Sequence, residues 1–223
     1  AALRESLRLR QNGFEPDLII GHSGFGNTIY LKEVWPNAKF IGYFEWFYRS
    51  RGSDVGFGNN QPPSPDTSLR VHTYNSPIVM DLAQADAAIC PTHWQANQFP
   101  PAMRQHLSVI FDGVDTEQLP LVKQGARHHP LNLGAGDAKA TIPAGVPLVT
   151  YVTRCFEPYR GWPQVAEGLA LLMQRNPRAH VLLVGSDEVA YGGKRGDGLS
   201  WREWALKEWP MDPSRLHQLP ALG

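Results

Sequence analysis

Apolar residues along this chain fall into short blocks, and blocks of helical period alternate with compact apolar runs. Leu3 and Leu7 stand one helical turn apart, which predicts a helix over 1–10 stopped by Gly13. Pro16-Asp17 then leads into Leu18-Ile19-Ile20, which reads as a strand. The alternation continues with a short helix over 26–33, a strand over 39–44, a helix over 69–85 and a strand over 87–90. Ser76-Pro77 marks a kink or restart in the long helix. A helical turn over 93–99 is closed by Pro100-Pro101, and a strand over 107–111 runs into Asp112-Gly113-Val114-Asp115. Between Thr116 and Pro147 the period dissolves. Gly125, Pro130, Gly134, Gly136, Pro143 and Gly145 interrupt it, so the stretch reads as an interdomain linker. A second series then predicts a strand over 148–152, a helix over 162–174 with Val165, Leu169 and Leu172 on one face, and a strand over 180–184 ending at Gly185. Ser200 and Glu203 have capping-box spacing at the head of a helix over 200–208, and a last strand covers 215–219.

Continuous apolar strands alternating with helices predict an α/β protein whose mainly parallel sheets are covered on both faces. The expected division is a first domain over 1–120, a linker over 121–146 and a second domain over 147–223. No strand precedes the first helix, and the second series holds only three strands, so both domains read as incomplete.

Composition narrows the function classes. The chain has 223 residues, 42% hydrophobic and 19% charged, which suits one large or two small globular domains. Twenty-one basic residues balance twenty-one acidic ones, so no overall field points to nucleic acid. Cys90 and Cys155 lie far apart at the ends of apolar runs, without CxxC or zinc-site spacing. They read as two buried thiols in a reducing compartment, and no metal is expected. No apolar stretch is long enough to cross a bilayer and no signal peptide is visible, so a cytoplasmic protein is expected, with peripheral membrane contact left open.

In open α/β sheets ligands bind beyond the carboxyl ends of the strands, beside helix N-termini. Thr153-Arg154-Cys155-Phe156-Glu157-Pro158-Tyr159-Arg160-Gly161-Trp162 follows one strand, opens one helix and places two arginines six residues apart. Such a loop can aim two guanidinium groups and a helix N-terminus at one diphosphate; it can equally be a surface turn with two solvated arginines. Gly21-His22-Ser23-Gly24-Phe25-Gly26 also joins a strand to a helix, but its G-x-x-G-x-G order is not the dinucleotide fingerprint, so no nicotinamide cofactor is expected. Either Gly24 and His22 line a ligand site, or the segment is a tight turn with a capping histidine. His128-His129 reads as solvated, Trp201 and Trp204 as structural packing, and Arg178 and Arg202 as outer-surface charges.

The segment around Arg154 resembles the signature of retaining family 4 glycosyltransferases, where a strand ends in Gly-Arg and the next helix opens with Glu-Lys-Gly. Arg154 and Arg160-Gly161 match it, with Thr153 in place of Gly and Arg160 in place of Lys. Ile110-Phe111-Asp112-Gly113-Val114-Asp115 resembles the family's Asn-Gly-Val-Asp turn, and Ala87-Ala88-Ile89-Cys90-Pro91-Thr92 its strand ending in Ser/Thr. Val181-Leu182-Leu183-Val184-Gly185-Ser186 resembles the strand whose terminal glycine lets the donor approach. The order of these pieces carries the resemblance. It implies a GT-B fold, two Rossmann-like domains facing across a cleft. It implies hexosyl transfer, with retention and without a metal or cofactor, from a nucleotide-diphosphate sugar to a carbohydrate or other hydroxyl acceptor. Arg154, Arg160, Gly161 and Gly185 would hold the donor phosphates.

Glu45 ends the strand over 39–44, where many members carry an active-centre histidine, so Glu45 and His22 are the catalytic candidates. Trp46 and Arg49 open a loop over 45–65 that is long for a connector. They could stack on a sugar ring or pair with an anionic acceptor, or the aromatic cluster could simply seal the loop. The family's first Gly-rich loop would precede Ala1 and its Glu-x7-Glu segment would follow Gly223, so the chain as written is not expected to transfer sugar. Two rival readings are a GT-B nucleotide-sugar epimerase and a non-catalytic nucleotide-binding fragment. Sugar, base, acceptor and oligomeric state are not legible.

Overall fold

The computed structural model describes the chain except for residues 56–61, 119–127, 136–137 and 222–223. Parts of the expected linker, Gly125 and Gly136 among them, therefore lie outside the described residues. The chain forms two compact units, Ala1–Pro120 and Leu121–Gly223.

In the first unit, helix α1 (Ala2–Gln11) leads to a parallel sheet of β1 (Leu18–His22), β2 (Lys39–Tyr43), β3 (Ala87–Cys90) and β4 (Leu107–Val109). The strands lie in chain order, β1-β2-β3-β4. Between them run α2 (Leu31–Val34), α3 (Pro65–Tyr74), α4 (Ser76–Gln84), α5 (His93–Ala96) and α6 (Pro101–Arg104). The restart expected at Ser76-Pro77 is the α3–α4 junction, with Pro77 in the first turn of α4 where its missing N–H costs nothing. Pro101 likewise opens α6 rather than merely closing α5.

The expectation of a sheet covered on both faces fails in this unit. Ile19 is buried at 9% exposure, yet its neighbour Ile20 is 68% exposed. The reason is topological. Right-handed crossovers that always advance in the same direction across a sheet put every helix on the same face. That face carries Phe40 and Ile19 against Val34 and Trp35, and Phe44 and Ala88 against Ile78 and Phe99.

The second unit has three layers. Parallel strands β7 (Leu148–Cys155), β8 (His180–Ser186) and β9 (Leu216–Leu219) form the middle. Helices α7 (Trp162–Arg175) and α8 (Trp201–Glu208) cover one face, burying Trp162, Ala166, Leu169 and Met173 against Val181 and Leu183. Trp204 and Trp209 stack edge-on beside this cluster, as structural packing requires. The other face is covered by an antiparallel hairpin, β5 (Leu131–Ala135) and β6 (Ala138–Ile142), whose Ala140 and Ile142 pack on Leu182, Val184 and Leu219. This corrects the reading of 116–147 as aperiodic. Leu131 and Leu133, then Ala140 and Ile142, keep a period of two that the surrounding glycines and prolines obscure. Covered on both sides, β8 is buried along almost its whole length. Among the described residues no helix is long and apolar enough to cross a membrane.

His180 on β8 and His217 on β9 meet ring to ring, Nδ1 to Nε2 at 2.9 Å. Burial, and then the neighbouring His180, hold the His217 pKa below its ordinary 6.5. Below that pH the unfolded chain takes up a proton that the folded chain resists, so the unit loses stability as the solution is acidified. We expect a melting-temperature series from pH 8 to 5 to show this fall, and His217→Gln to flatten it.

Candidate functional site

The second unit brings Arg154 and Arg160 together. The β7–β8 register shifts between Val152 and Cys155, an irregularity that leaves Thr153 and Arg154 outside the regular pairing and re-aims the strand end. Arg160 closes a single 3₁₀ turn, Pro158–Arg160. Both guanidinium groups lie over one aromatic ring: Arg154 Cζ is 5.4 Å and Arg160 Cζ 5.7 Å from the centre of Tyr191. A pocket of about 380 Å³ opens beside them, lined by Tyr151, Val152, Thr153, Arg154 and Arg160.

Tyr191 is held in place by a buried carboxylate. Glu157 is fully buried, and its Oε2 accepts hydrogen bonds from the backbone N–H groups of Ala190 and Tyr191 at 2.9 and 2.8 Å. Its Oε1 accepts none and lies 3.8 Å from Arg160 Nε. Glu157 thus ties the start of the loop that carries Gly192, Gly193, Gly196 and Gly198 to the turn that carries Arg160. Two cations converging on one neutral ring, with a single buried anion behind them, make a place where a dianion is favoured.

The remaining donor-side candidates behave differently from one another. Gly161 has φ +72°, a left-handed conformation that ends the 3₁₀ turn and opens α7. The backbone N–H groups of Arg160, Gly161 and Trp162 are already bonded within that turn, and Pro163 has none. That leaves the Gln164 N–H in the first turn of α7 for a phosphate, so the side chains carry most of the binding. Gly185 is a packing requirement: a Cβ there would stand 2.7 Å from the Thr153 carbonyl oxygen and 3.0 Å from the Phe156 ring. We expect Gly185→Ala to displace the irregular segment that carries Arg154 and to destabilise the unit by about 1–3 kcal/mol in urea unfolding.

In the first unit, His22 at the end of β1 and Glu45 just past β2 meet, Nε2 to Oε2 at 2.9 Å. The parallel register sets His22 beside Tyr43 and so brings the loops after the two strands together. The imidazole lies between the rings of Phe25 and Tyr43 at 5.0 and 5.2 Å. Its Nδ1 is buried without a hydrogen-bond partner. With one nitrogen on Glu45 and the other buried, the ring has no nitrogen free for a ligand. The group left for chemistry is the Glu45 carboxylate, whose side chain is 53% exposed. Tyr43 donates to Asp112 Oδ1 at 2.8 Å; burial and that carboxylate push its pKa up to about 12.

The loop holding His22 is anchored by Asp81 of α4, a fully buried residue. Its Oδ2 accepts from Ser23 Oγ at 2.9 Å and Thr28 Oγ1 at 2.5 Å. Gly24 lies between these anchors with φ +101°, so it serves the turn. Trp46 donates from Nε1 to Asp54 and packs on Trp94, with ring centres 5.2 Å apart. Arg49 donates to the carbonyl oxygens of Gln98 and Asn97, tying its loop to the end of α5. Arg202, expected at the outer surface, pairs with Asp187 and lies over the Phe156 ring.

The model for the glycosyl transferase family 4 group matches residues 1–119, just over half of the chain. The chain belongs to the glycosyl transferase family 4 group. Its fold is α/β of the GT-B class, with the parallel sheets described above. Among solved structures, the GtfA/B complex superposes with a TM-score of 0.53 at 13% identity, over 100% of this chain and 38% of that one. MnaA of S. aureus, solved with UDP, gives a TM-score of 0.45 at 8% identity, over 99% of this chain and 52% of that one. The chain thus spans about half or less of these neighbours. Curated proteins gave no match.

Within this family member, sequence reasoning missed Asp81, Glu157 and Tyr191. Asp81 sits in a segment whose apolar neighbours mark a packed helix, and an acid there is a signal by itself, because carboxylates are seldom fully buried without partners. Glu157 lies inside the quoted motif, three residues before Arg160. Nothing in the local pattern links Tyr191 to Arg154.

Proposed function

We propose that this chain takes part in moving a hexose, with retention of configuration, from a nucleotide-diphosphate sugar to a hydroxyl acceptor. The observation carrying the proposal is the convergence of Arg154 and Arg160, which both line one pocket, on the ring of Tyr191. In the reaction the bond from the sugar's anomeric carbon to the phosphate oxygen breaks, and its electron pair leaves with the diphosphate. The two guanidinium groups take up that growing charge, so the reading needs neither a metal nor a cofactor. The acceptor oxygen forms the new bond and gives up its proton. Glu45 is the group suited to receive that proton, with His22 holding the carboxylate in place. The reading is of a cytoplasmic enzyme.

An epimerase would convert donor without any acceptor. Incubating the enzyme with nucleotide sugar, alone and with a saccharide acceptor, separates the two. Acceptor-dependent release of nucleoside diphosphate with a new glycoside supports transfer; isomerised donor in the acceptor-free sample overturns it.

A further inference from the structure

The first unit holds a pocket of about 420 Å³ whose lining includes neither Glu45 nor His22. That size falls within the roughly 300–1,000 Å³ of small-molecule sites. Among the described residues its lining includes Arg49, Arg51 and His72 and no carboxylate. Arg51 forms no ion pair among the described residues. The carboxylate beside this lining, Asp54, accepts from the Arg49 backbone N–H and from Trp46 Nε1, so the Arg51 charge is left to favour an anion.

Hydrogen bonds fix part of the wall. Asn75 is buried at 7% exposure, and its side chain makes a reciprocal pair with the Tyr48 backbone, Oδ1 accepting and Nδ2 donating at 2.9 Å each. One residue on, Arg49 is fixed through the Asn97 and Gln98 carbonyls. The segment from which Arg51 projects is therefore anchored just before it. Ser50 and Ser68 add hydroxyls to the lining, and Phe47 adds an aromatic surface. Cations for an oxyanion, hydroxyls for hydroxyls and a ring for an apolar sugar face together fit a charged monosaccharide better than a bare ion.

We propose that this pocket binds an anionic hexose, its oxyanion on Arg51 and Arg49, as the charged portion of the acceptor. The acceptor role rests on the transfer reading; the binding site itself does not. The probes are glucose 6-phosphate, glucuronate and neutral glucose, titrated calorimetrically into the parent protein, Arg51→Ala and Arg154→Ala, with melting curves for each. At least one anionic sugar should bind the parent, more weakly as salt rises, and at least tenfold more tightly than glucose. Arg51→Ala should weaken that binding at least tenfold with no change in nucleoside diphosphate affinity. Arg154→Ala should do the reverse. Whichever anionic sugar binds identifies the oxyanion as phosphate or carboxylate. No binding of either, equal binding of glucose, or unchanged binding to a folded Arg51→Ala protein would overturn the proposal. A parent protein that binds the anionic sugar but no nucleoside diphosphate would leave this site standing and count against the transfer reading.

Discussion

Glu45→Gln is expected to lower turnover of the active enzyme by about a hundred- to ten-thousandfold, the range for losing a positioned proton acceptor. Affinity for nucleoside diphosphate should not change, because Glu45 is not part of the lining of the arginine pocket. The substitution is nearly isosteric and its site is half exposed, so the fold should survive. His22→Gln should cost less. The imidazole offers its Nε2 to Glu45 and keeps Nδ1 buried, so it orients the carboxylate and does not itself meet substrate. An amide can replace that one hydrogen bond. If His22→Gln proves as damaging as Glu45→Gln at unchanged stability, the histidine has a chemical part of its own and the assignment of roles is reversed.

Arg154→Ala and Arg160→Ala should each weaken nucleoside diphosphate binding by about ten- to a hundredfold, with little change in melting temperature. Both side chains are exposed, and their described contacts are with the ring of Tyr191, itself 56% exposed, and the distant oxygen of Glu157. Arg160→Lys should be milder than Arg160→Ala, because a point charge suffices for one phosphate. Arg154→Lys should be tolerated poorly if Arg154 grips two phosphate oxygens through its fork. The exposed Lys207, on α8, provides the control through Lys207→Gln; Arg202 does not, since it is paired with Asp187.

The α/β alternation was legible because each strand is a compact apolar run and each long helix shows its period. Val165 and Leu172 were read as the inner face of α7, and both do pack against its cluster. The hairpin was missed because its two alternating strands are short and crowded by glycine and proline. The open face of the first sheet was not legible either. Leu18-Ile19-Ile20 is the same apolar run whether one face is covered or two, and only the strand order decides between them. For the site, the meeting of His22 with Glu45 follows from β1–β2 pairing, whose register no single-strand pattern contains. Arg154 and Arg160 were found from spacing and family resemblance, but Tyr191, which lies beneath both, is 37 residues from one and 31 from the other (191 − 154; 191 − 160). Long-range partners of this sort come from the fold.

The central claim is that Arg154 and Arg160 form a diphosphate site. The most direct measurement compares the affinity for a nucleoside diphosphate with that for its own nucleoside, in the parent and in Arg154→Ala/Arg160→Ala. The account expects the parent to favour the diphosphate by at least a hundredfold and the double variant to lose most of that preference while melting at nearly the same temperature. A folded double variant that keeps the full preference would contradict it, and the two arginines would then be ordinary surface charges.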